Sequence, residues 1–165
     1  MTRLLTALWF VWWFAGAPLF AAEPLRLTTL ELKDQFEHAH TLAFPSEKPR
    51  LIVVGDRKGS EQTAAWTTPL KERFTNQLEM IAVADVHGVP ALVQPMIRKG
   101  FKKQYAHPVM LDWKGVLFEK LSPKASVVNL YLLKPDGTLC AQWHGPATEE
   151  KLKAASDEIA RQLKP

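Results

Sequence analysis

Short apolar runs alternate along this chain with stretches in which apolar residues recur every three or four positions. The short runs predict β-strands, the first two of them joined as a hairpin with a polar turn at 33–35. The predicted strands lie within 25–42, at 51–55, at 80–86, at 108–112, at 127–133 and at 138–143. The runs at 51–55 and 80–86 are almost wholly apolar, which is typical of parallel strands covered on both faces.

The first helical stretch covers about residues 61–78. Its apolar stripe recurs at four-residue spacing and consists of Trp66, Leu70, Phe74 and Leu78. Ser60 is a candidate N-cap, because a hydroxyl oxygen can accept a hydrogen bond from a free amide of the first turn. Pro69 lies inside the stretch and predicts a kink, because proline lacks a backbone donor.

Two further helices follow. One is predicted to begin at Pro90 or Pro95, since proline is tolerated in a first turn, and to end near Gln104. The last covers about 149–163, with Thr148 as its N-cap. Residues 117–126 carry no clear signal.

The last two strands are joined by residues 134–137, Lys-Pro-Asp-Gly, a strong hairpin signal. The predicted order is therefore β-β, β-α-β-α-β, β-β-α. Alternating strands and helices with right-handed crossovers predict an α/β fold with a parallel core, to which the hairpin adds an antiparallel edge.

The N-terminal segment is predicted to be a secretory signal peptide. A basic start at Arg3 is followed by the apolar run 4–20 and by Ala21 and Ala22, after either of which cleavage is expected. Residues 23–165 would then form a single periplasmic or secreted domain. The alternative is an uncleaved anchor, because the run 4–20 reaches the lower length limit for a membrane-spanning helix.

Composition excludes some classes of function. The chain has 165 residues and a formal net charge of +4, a mildly basic balance that does not indicate nucleic-acid binding. Cys140 is its single cysteine, so no disulfide can form within one chain. We expect no cofactor and no metal centre.

The stretch 51–74 combines a buried strand, a polar loop and the start of a helix. In open α/β sheets, ligands bind at the carboxyl ends of strands, so this corner is the natural active site. Its loop consists of Asp56, Arg57, Lys58, Gly59, Ser60, Glu61 and Gln62. It holds no cysteine, no histidine and no glycine-rich phosphate loop.

In the order of its elements, the chain resembles the thioredoxin-like superfamily, and within it the exported redoxin and peroxiredoxin-like branch. The similarity lies in the N-terminal hairpin at 30–42, the strand, loop and proline-kinked helix at 51–74, the hairpin at 127–145 and the closing helix at 147–163. The resemblance implies a three-layer α/β/α sandwich with a mixed sheet, in which an N-terminal β-hairpin precedes the core and a C-terminal β-hairpin and helix close it.

The same comparison places the family's C-x-x-C motif on residues that are not cysteines. Counting from the strand puts the motif on 59–62, and counting back from Pro69 puts it on 61–64. Residues 126–129, Ser-Val-Val-Asn, stand where the family has a cis-proline. Disulfide exchange needs a low-pKa thiolate at the helix N-terminus, so the missing thiol argues against an enzyme.

Three other features are candidates for chemistry. Cys140 could form a mixed disulfide, but a thiol in mid-strand more often packs as a small apolar side chain. We expect Thr138 and Gln142 on its face of the strand and Leu139, Ala141 and Trp143 on the other face. His87 follows the second core strand and is expected near Asp56, where the two could form a small polar site.

Two surface groups complete the candidates. His38 and His40 alternate on one predicted strand face with Phe36 and Leu42, and could supply metal ligands. A basic group on the second helix could bind acidic partners or lipid headgroups, although such groups are usually solvated. That group comprises Arg98, Lys99, Lys102 and Lys103, opposite apolar Leu92, Met96, Ile97 and Phe101.

The favoured hypothesis is an exported thioredoxin-fold module that binds a protein or peptide partner without redox activity. One alternative is a thiol-dependent redoxin or peroxidase acting through Cys140. A second alternative is a metal carrier using His38 and His40. Membrane attachment is expected only if the N-terminal segment is retained.

Overall fold

A computed structural model describes residues 23–164, which form one mixed sheet covered by helices. The elements in chain order are β1 (Thr29–Asp34), β2 (Ala39–Ala43), β3 (Arg50–Gly55), α1 (Thr63–Arg73), β4 (Glu79–Asp85), α2 (Gln94–Gln104), β5 (Met110–Asp112), α3 (Val116–Leu121), β6 (Asn129–Leu133), β7 (Leu139–His144) and α4 (Glu149–Gln162). The predicted signal peptide and its cleavage point lie outside the described residues.

The sheet has seven strands in the order β2-β1-β5-β4-β3-β6-β7. Its centre is parallel, because β3 pairs with β4 and β4 with β5 in the same direction. Both edges are antiparallel hairpins, β1–β2 on one side and β6–β7 on the other. The predicted α/β fold with a parallel core and an antiparallel C-terminal edge is confirmed.

Strand β3 shows how the two faces of the sheet are covered. Leu51 and Val53 pack on one face with α1 and α4, while Ile52 and Val54 pack on the other with the β1–β2 hairpin and α3. All four side chains are buried, so β3 forms the centre of a three-layer core. Burial on both faces explains why this strand is wholly apolar in the sequence.

Helix α1 is shorter than predicted at both ends. A 3₁₀ turn, Gly59–Gln62, precedes it, and the helix ends at Arg73 although its stripe continues to Leu78. Asn76 has a φ of 65°, in the left-handed region, so the chain leaves the helix before Leu78. All four residues of the predicted stripe are nevertheless buried.

The turn of the N-terminal hairpin also differs from the prediction. Strand β1 continues through Asp34, whose Oδ1 accepts hydrogen bonds from the backbone N–H of Phe36 at 2.8 Å and of His38 at 3.0 Å. The Asp34 carboxylate therefore stabilises the turn formed by residues 35–38, between β1 and β2. The sequence had suggested that Phe36 and His38 lie on a face of the second strand, but both lie in this turn.

Helix α3 occupies part of the stretch without a clear signal. Asp112, at the end of β5, accepts hydrogen bonds from the N–H groups of Val116 at 2.9 Å and Leu117 at 2.8 Å. A carboxylate at this place satisfies free amides of the first turn and suits the positive end of the helix. The buried Leu117 and Leu121 fix the helix to the core.

Candidate functional site

Asp56 joins two loops at the carboxyl end of β3. Its Oδ1 accepts a hydrogen bond from the N–H of Gly59 at 2.8 Å, and its Oδ2 accepts one from the N–H of Ser126 at 2.6 Å. The loop after β3 is thereby held against the connector before β6. Gln62 Oε1 faces the N–H of Val128 at 3.4 Å and adds a weaker contact between the same segments.

Gly59 is buried at the contact between these two loops. A Cβ built on Gly59 would lie 2.4 Å from the carbonyl oxygen of Val127 and 3.0 Å from the nitrogen of Val128. Real Cβ atoms do not approach so closely, and backbone atoms cannot turn aside as a flexible side chain can. No residue with a side chain fits at this position without moving the connector.

Ser60 does not cap α1, contrary to the prediction. It lies within the 3₁₀ turn, where its hydroxyl donates to the carbonyl oxygen of Arg57 at 2.8 Å. Asp56 instead accepts from the N–H of Gly59, at the start of the 3₁₀ turn, and α1 itself has Gln62 at its N-cap without a side-chain hydrogen bond. The side chains of Arg57, Lys58 and Glu61 are exposed around this corner.

His87 and Asp56 line the same cavity, which has a volume of about 240 Å³. The His87 ring is hydrogen-bonded through Nδ1 to Asp85 Oδ1 and packs on the Phe118 ring with their centroids 4.4 Å apart. The His87 side chain is 40% exposed. Lys124 and Asn129 complete the polar lining.

Lys124 also joins this cavity to the end of β7. Its Nζ lies 2.6 Å from His144 Nε2, and Lys151 Nζ donates to the His144 carbonyl oxygen at 2.9 Å. Burial and the charges of Lys124 and Lys151 lower the pKa of His144. A neutral imidazole can accept the hydrogen bond from the lysine, so the cationic rim of the cavity is held in place.

Cys140 lies in β7, outside the corner at the end of β3. The pairing of Leu132 with Ala141 and of Leu133 with Leu139 leaves Cys140 as the extra residue of a β-bulge. The bulge breaks the predicted alternation, because Leu139 packs on one side of the sheet whereas Ala141 and Trp143 pack with Cys140 on the other.

The environment of the thiol does not favour reactivity. Its Sγ donates to the Leu132 carbonyl oxygen at 3.2 Å, and burial raises the pKa of Cys140, although the charges of Lys134 and Arg161 act in the opposite direction. A raised pKa reduces the fraction of thiolate, which is the nucleophilic form.

The predicted histidine pair surrounds a carboxylate. His40 Nε2 lies 2.8 Å from Asp34 Oδ2, and His38 Nδ1 lies 3.6 Å from the same oxygen. Burial alone would raise the pKa of Asp34, but hydrogen bonds from His40 and from the N–H groups of His38 and Phe36 lower this pKa below its ordinary value. Within residues 23–164 no three histidine, cysteine or acidic side chains are arranged to hold a metal ion.

Sequence reasoning missed the residues that shape the corner from other elements. Phe118 and Lys124 come from the connector between β5 and β6, in the stretch 117–126 whose structure the sequence did not indicate. Asp85 lies two residues before His87, and this spacing was the one local signal that could have suggested their hydrogen bond.

None of the helices within residues 23–164 combines the length and apolarity needed to cross a membrane.

Solved structures with the same architecture are numerous. The pneumococcal exposed lipoprotein thioredoxin Etrx1 from Streptococcus pneumoniae has a TM-score of 0.63 at 14% identity, covering 81% of this chain and 99% of its own. StoA from Bacillus subtilis has a TM-score of 0.60 at 16% identity, and the match covers 79% of this chain and 98% of StoA. The chain has a thioredoxin-like fold.

A third similar structure is the thioredoxin-family thiol:disulfide interchange protein from Chlorobium tepidum TLS, with a TM-score of 0.60 at 12% identity, covering 87% of this chain and 99% of its own. No protein-family model and no curated protein matches the sequence. The thioredoxin-like fold resembles that of disulfide-interchange proteins, whereas this chain has a single cysteine, Cys140, and therefore no C-x-x-C motif.

Proposed function

We propose that this protein is an exported thioredoxin-fold module that binds a protein or peptide partner without thiol–disulfide chemistry. The contact between Gly59 and Val127 is the observation that supports this proposal most directly. Position 59 is where the count from the strand places the first cysteine of a thioredoxin-like motif. By that count, backbone closes the corner where a reactive side chain would stand, whereas the count back from Pro69 puts the exposed Glu61 at the same place.

The surroundings of the corner suit a binding role. The charged side chains of Arg57, Lys58 and Glu61 are exposed in the loop that follows Asp56, and the cavity lined by Asp56 also presents the partly exposed ring of Phe118. Polar groups that are already hydrogen-bonded, such as Asp56, keep the surface rigid and reduce the entropy lost on binding. Export is inferred from the N-terminal sequence pattern alone.

Site-specific photo-crosslinking in the native envelope tests the binding role. A benzophenone amino acid replacing Glu61 is expected to capture a partner, because the side chain points outward from the corner. Glu72, an exposed acidic residue in the last turns of α1, is the matched control position and should give no adduct. Adducts of equal yield at both positions, or at neither, would refute a binding site at this corner.

An activity assay separates this proposal from the redox alternative. Neither the wild-type protein nor the Cys140→Ala variant should reduce insulin or consume peroxide. Activity that is present in the wild type and lost in the variant would replace the binding role with a one-thiol mechanism.

A further inference from the structure

Within residues 23–164, one face of helix α2 is left uncovered by the other elements. Phe101 packs inward with Ala84 and Leu111, and Arg98 lies 3.2 Å from Glu37 and over the Trp113 ring. No residue of α2 is fully buried, so the helix lies on the surface of the sheet. Its outward face is available to a partner.

This outward face carries two large apolar side chains. Leu92, just before α2, is 92% exposed and Met96 is 70% exposed. The sequence pattern had grouped both with Ile97 and Phe101, yet helical periodicity brings Met96 together with Lys99 and with position 103. The apolar pair is thus the beginning of a mixed apolar and basic stripe, and not the inner face of the helix.

The stripe is strongly cationic. Lys99, Lys102 and Lys103 are exposed, and no acidic residue occurs anywhere in 89–107. Glu37, the acidic neighbour of this helix from the β1–β2 turn, is already paired with Arg98. Lys99 and Lys103 therefore place positive charge next to Met96, and Lys102 extends it around the side of the helix toward Arg98.

We propose that the outward face of α2, together with Leu92, docks on an anionic lipid bilayer. An amphipathic helix on a bilayer buries its apolar side chains about 5–10 Å into the boundary between the headgroups and the acyl chains. Leu92 and Met96 can enter this layer while the long lysine side chains reach the phosphates of the headgroups. Protein interfaces are depleted in lysine and enriched in arginine, whereas the free cations here are all lysines. Flexible point charges suit a fluid layer of phosphates better than a fixed partner surface.

A fluorophore on α2 tests the docking in the full-length protein. Gly100 is suitable for labelling, because a Cβ there meets nothing within 4 Å. The environment-sensitive dye is attached after Gly100→Cys in a Cys140→Ser background. Lys153→Cys, on the exposed side of α4, is the control position on the same chain. Comparing two positions removes any contribution of the N-terminal segment, which both labelled proteins share.

The labelled proteins are titrated with phosphatidylcholine vesicles that contain or lack phosphatidylglycerol. The emission maximum of the dye at position 100 should shift to shorter wavelength only with the anionic vesicles. The emission maximum of the dye at position 153 should stay at its value in water with both kinds of vesicle. Changing Lys99, Lys102 and Lys103 to Gln should lower the apparent vesicle affinity on the order of 100-fold, since each surface lysine contributes about fivefold. Replacing Leu92 and Met96 with Ser should weaken it as well.

Three results would overturn the docking. They are an unchanged Gly100 label on anionic vesicles, an equal response on neutral vesicles, and an affinity that survives loss of the lysines in a variant with unchanged thermal unfolding. The last result would show that these lysines do not hold the protein on the anionic surface.

Discussion

A Cβ on Gly59 would lie 2.4 Å from the carbonyl oxygen of Val127, so these two residues meet backbone to backbone. The contact joins the loop after β3 to the connector before β6. Asp56 strengthens the same junction through its hydrogen bond to Ser126. The absence of a thiol at this corner therefore goes together with a geometry that leaves no room for a side chain at position 59.

Gly59→Ala is expected to destabilise the protein by about 1–3 kcal/mol, the usual cost of overpacking a closed site. The added methyl group must displace backbone of the connector, which is itself tied to Asp56. Urea unfolding followed by circular dichroism measures the change.

Gly100→Ala is the matched control for that substitution. Its site is open, and alanine is favoured over glycine inside a helix, so a gain of about 0.5–1 kcal/mol is expected. If both alanine variants unfold at the same urea concentration, the steric argument at Gly59 fails.

Asp56→Ala should loosen the corner without unfolding the domain. It leaves the amides of Gly59 and Ser126 without their acceptor, and losing hydrogen bonds to a charged group costs about 1.5–3 kcal/mol each where no water replaces it. Hydrogen exchange at these two amides should accelerate in the variant. Glu61→Ala, which removes an exposed carboxylate nearby, should leave both exchange rates unchanged.

Cys140 should react slowly with thiol reagents. Burial raises its pKa above the ordinary value of 9.0, so the thiolate fraction at pH 8 is smaller than that of a free cysteine. The rate of alkylation by iodoacetamide, measured against glutathione from pH 7 to pH 10, should remain below that of the free thiol throughout. Alkylation faster than glutathione at pH 7 would contradict the environment described for β7.

Asp34 should make the fold sensitive to acid. Its pKa in the folded protein lies below the ordinary value of 3.8, so its charge adds stability above that value. This contribution is lost as the pH falls from 3.8 through the lower folded pKa. Urea midpoints measured as a function of pH should therefore decline over that window in the wild type.

Asp34→Asn is the test of this dependence. The amide oxygen can still accept from Phe36 and His38, but it carries no charge that protonation can remove. The variant should be less stable at neutral pH and lose less stability than the wild type below 3.8. Identical slopes for both proteins would assign the acid sensitivity to other carboxylates.

Local pattern was sufficient for most of the fold. The apolar run in β3 and the four-residue stripe beginning at Trp66 predicted a buried strand and its covering helix, and both are buried as expected. The turn at Gly137, with a φ of 89°, formed where the Asp-Gly pair predicted it. Thr148 caps α4 by accepting from the N–H of Lys151, again as predicted.

Details set by a single polar group or by strand register were not predictable in the same way. Asp34 sets the turn of the N-terminal hairpin because its carboxylate accepts from the N–H of His38 in the folded chain. Asp112 stabilises the start of α3 because its carboxylate accepts from the N–H of Leu117. The bulge at Cys140 depends on the partner strand β6, and the periodicity of β7 alone does not reveal it.

The sequence by itself determined the order of the strands and of every helix except α3, the buried faces of β3 and α1, and the lack of a cysteine at the corner. These follow from periodicity and composition, which act over a few neighbouring residues. Only the tertiary structure decided that Gly59 touches Val127 and that Met96 faces outward beside Lys99. Each of these depends on how separate elements pack, because packing brings together groups that no local pattern relates.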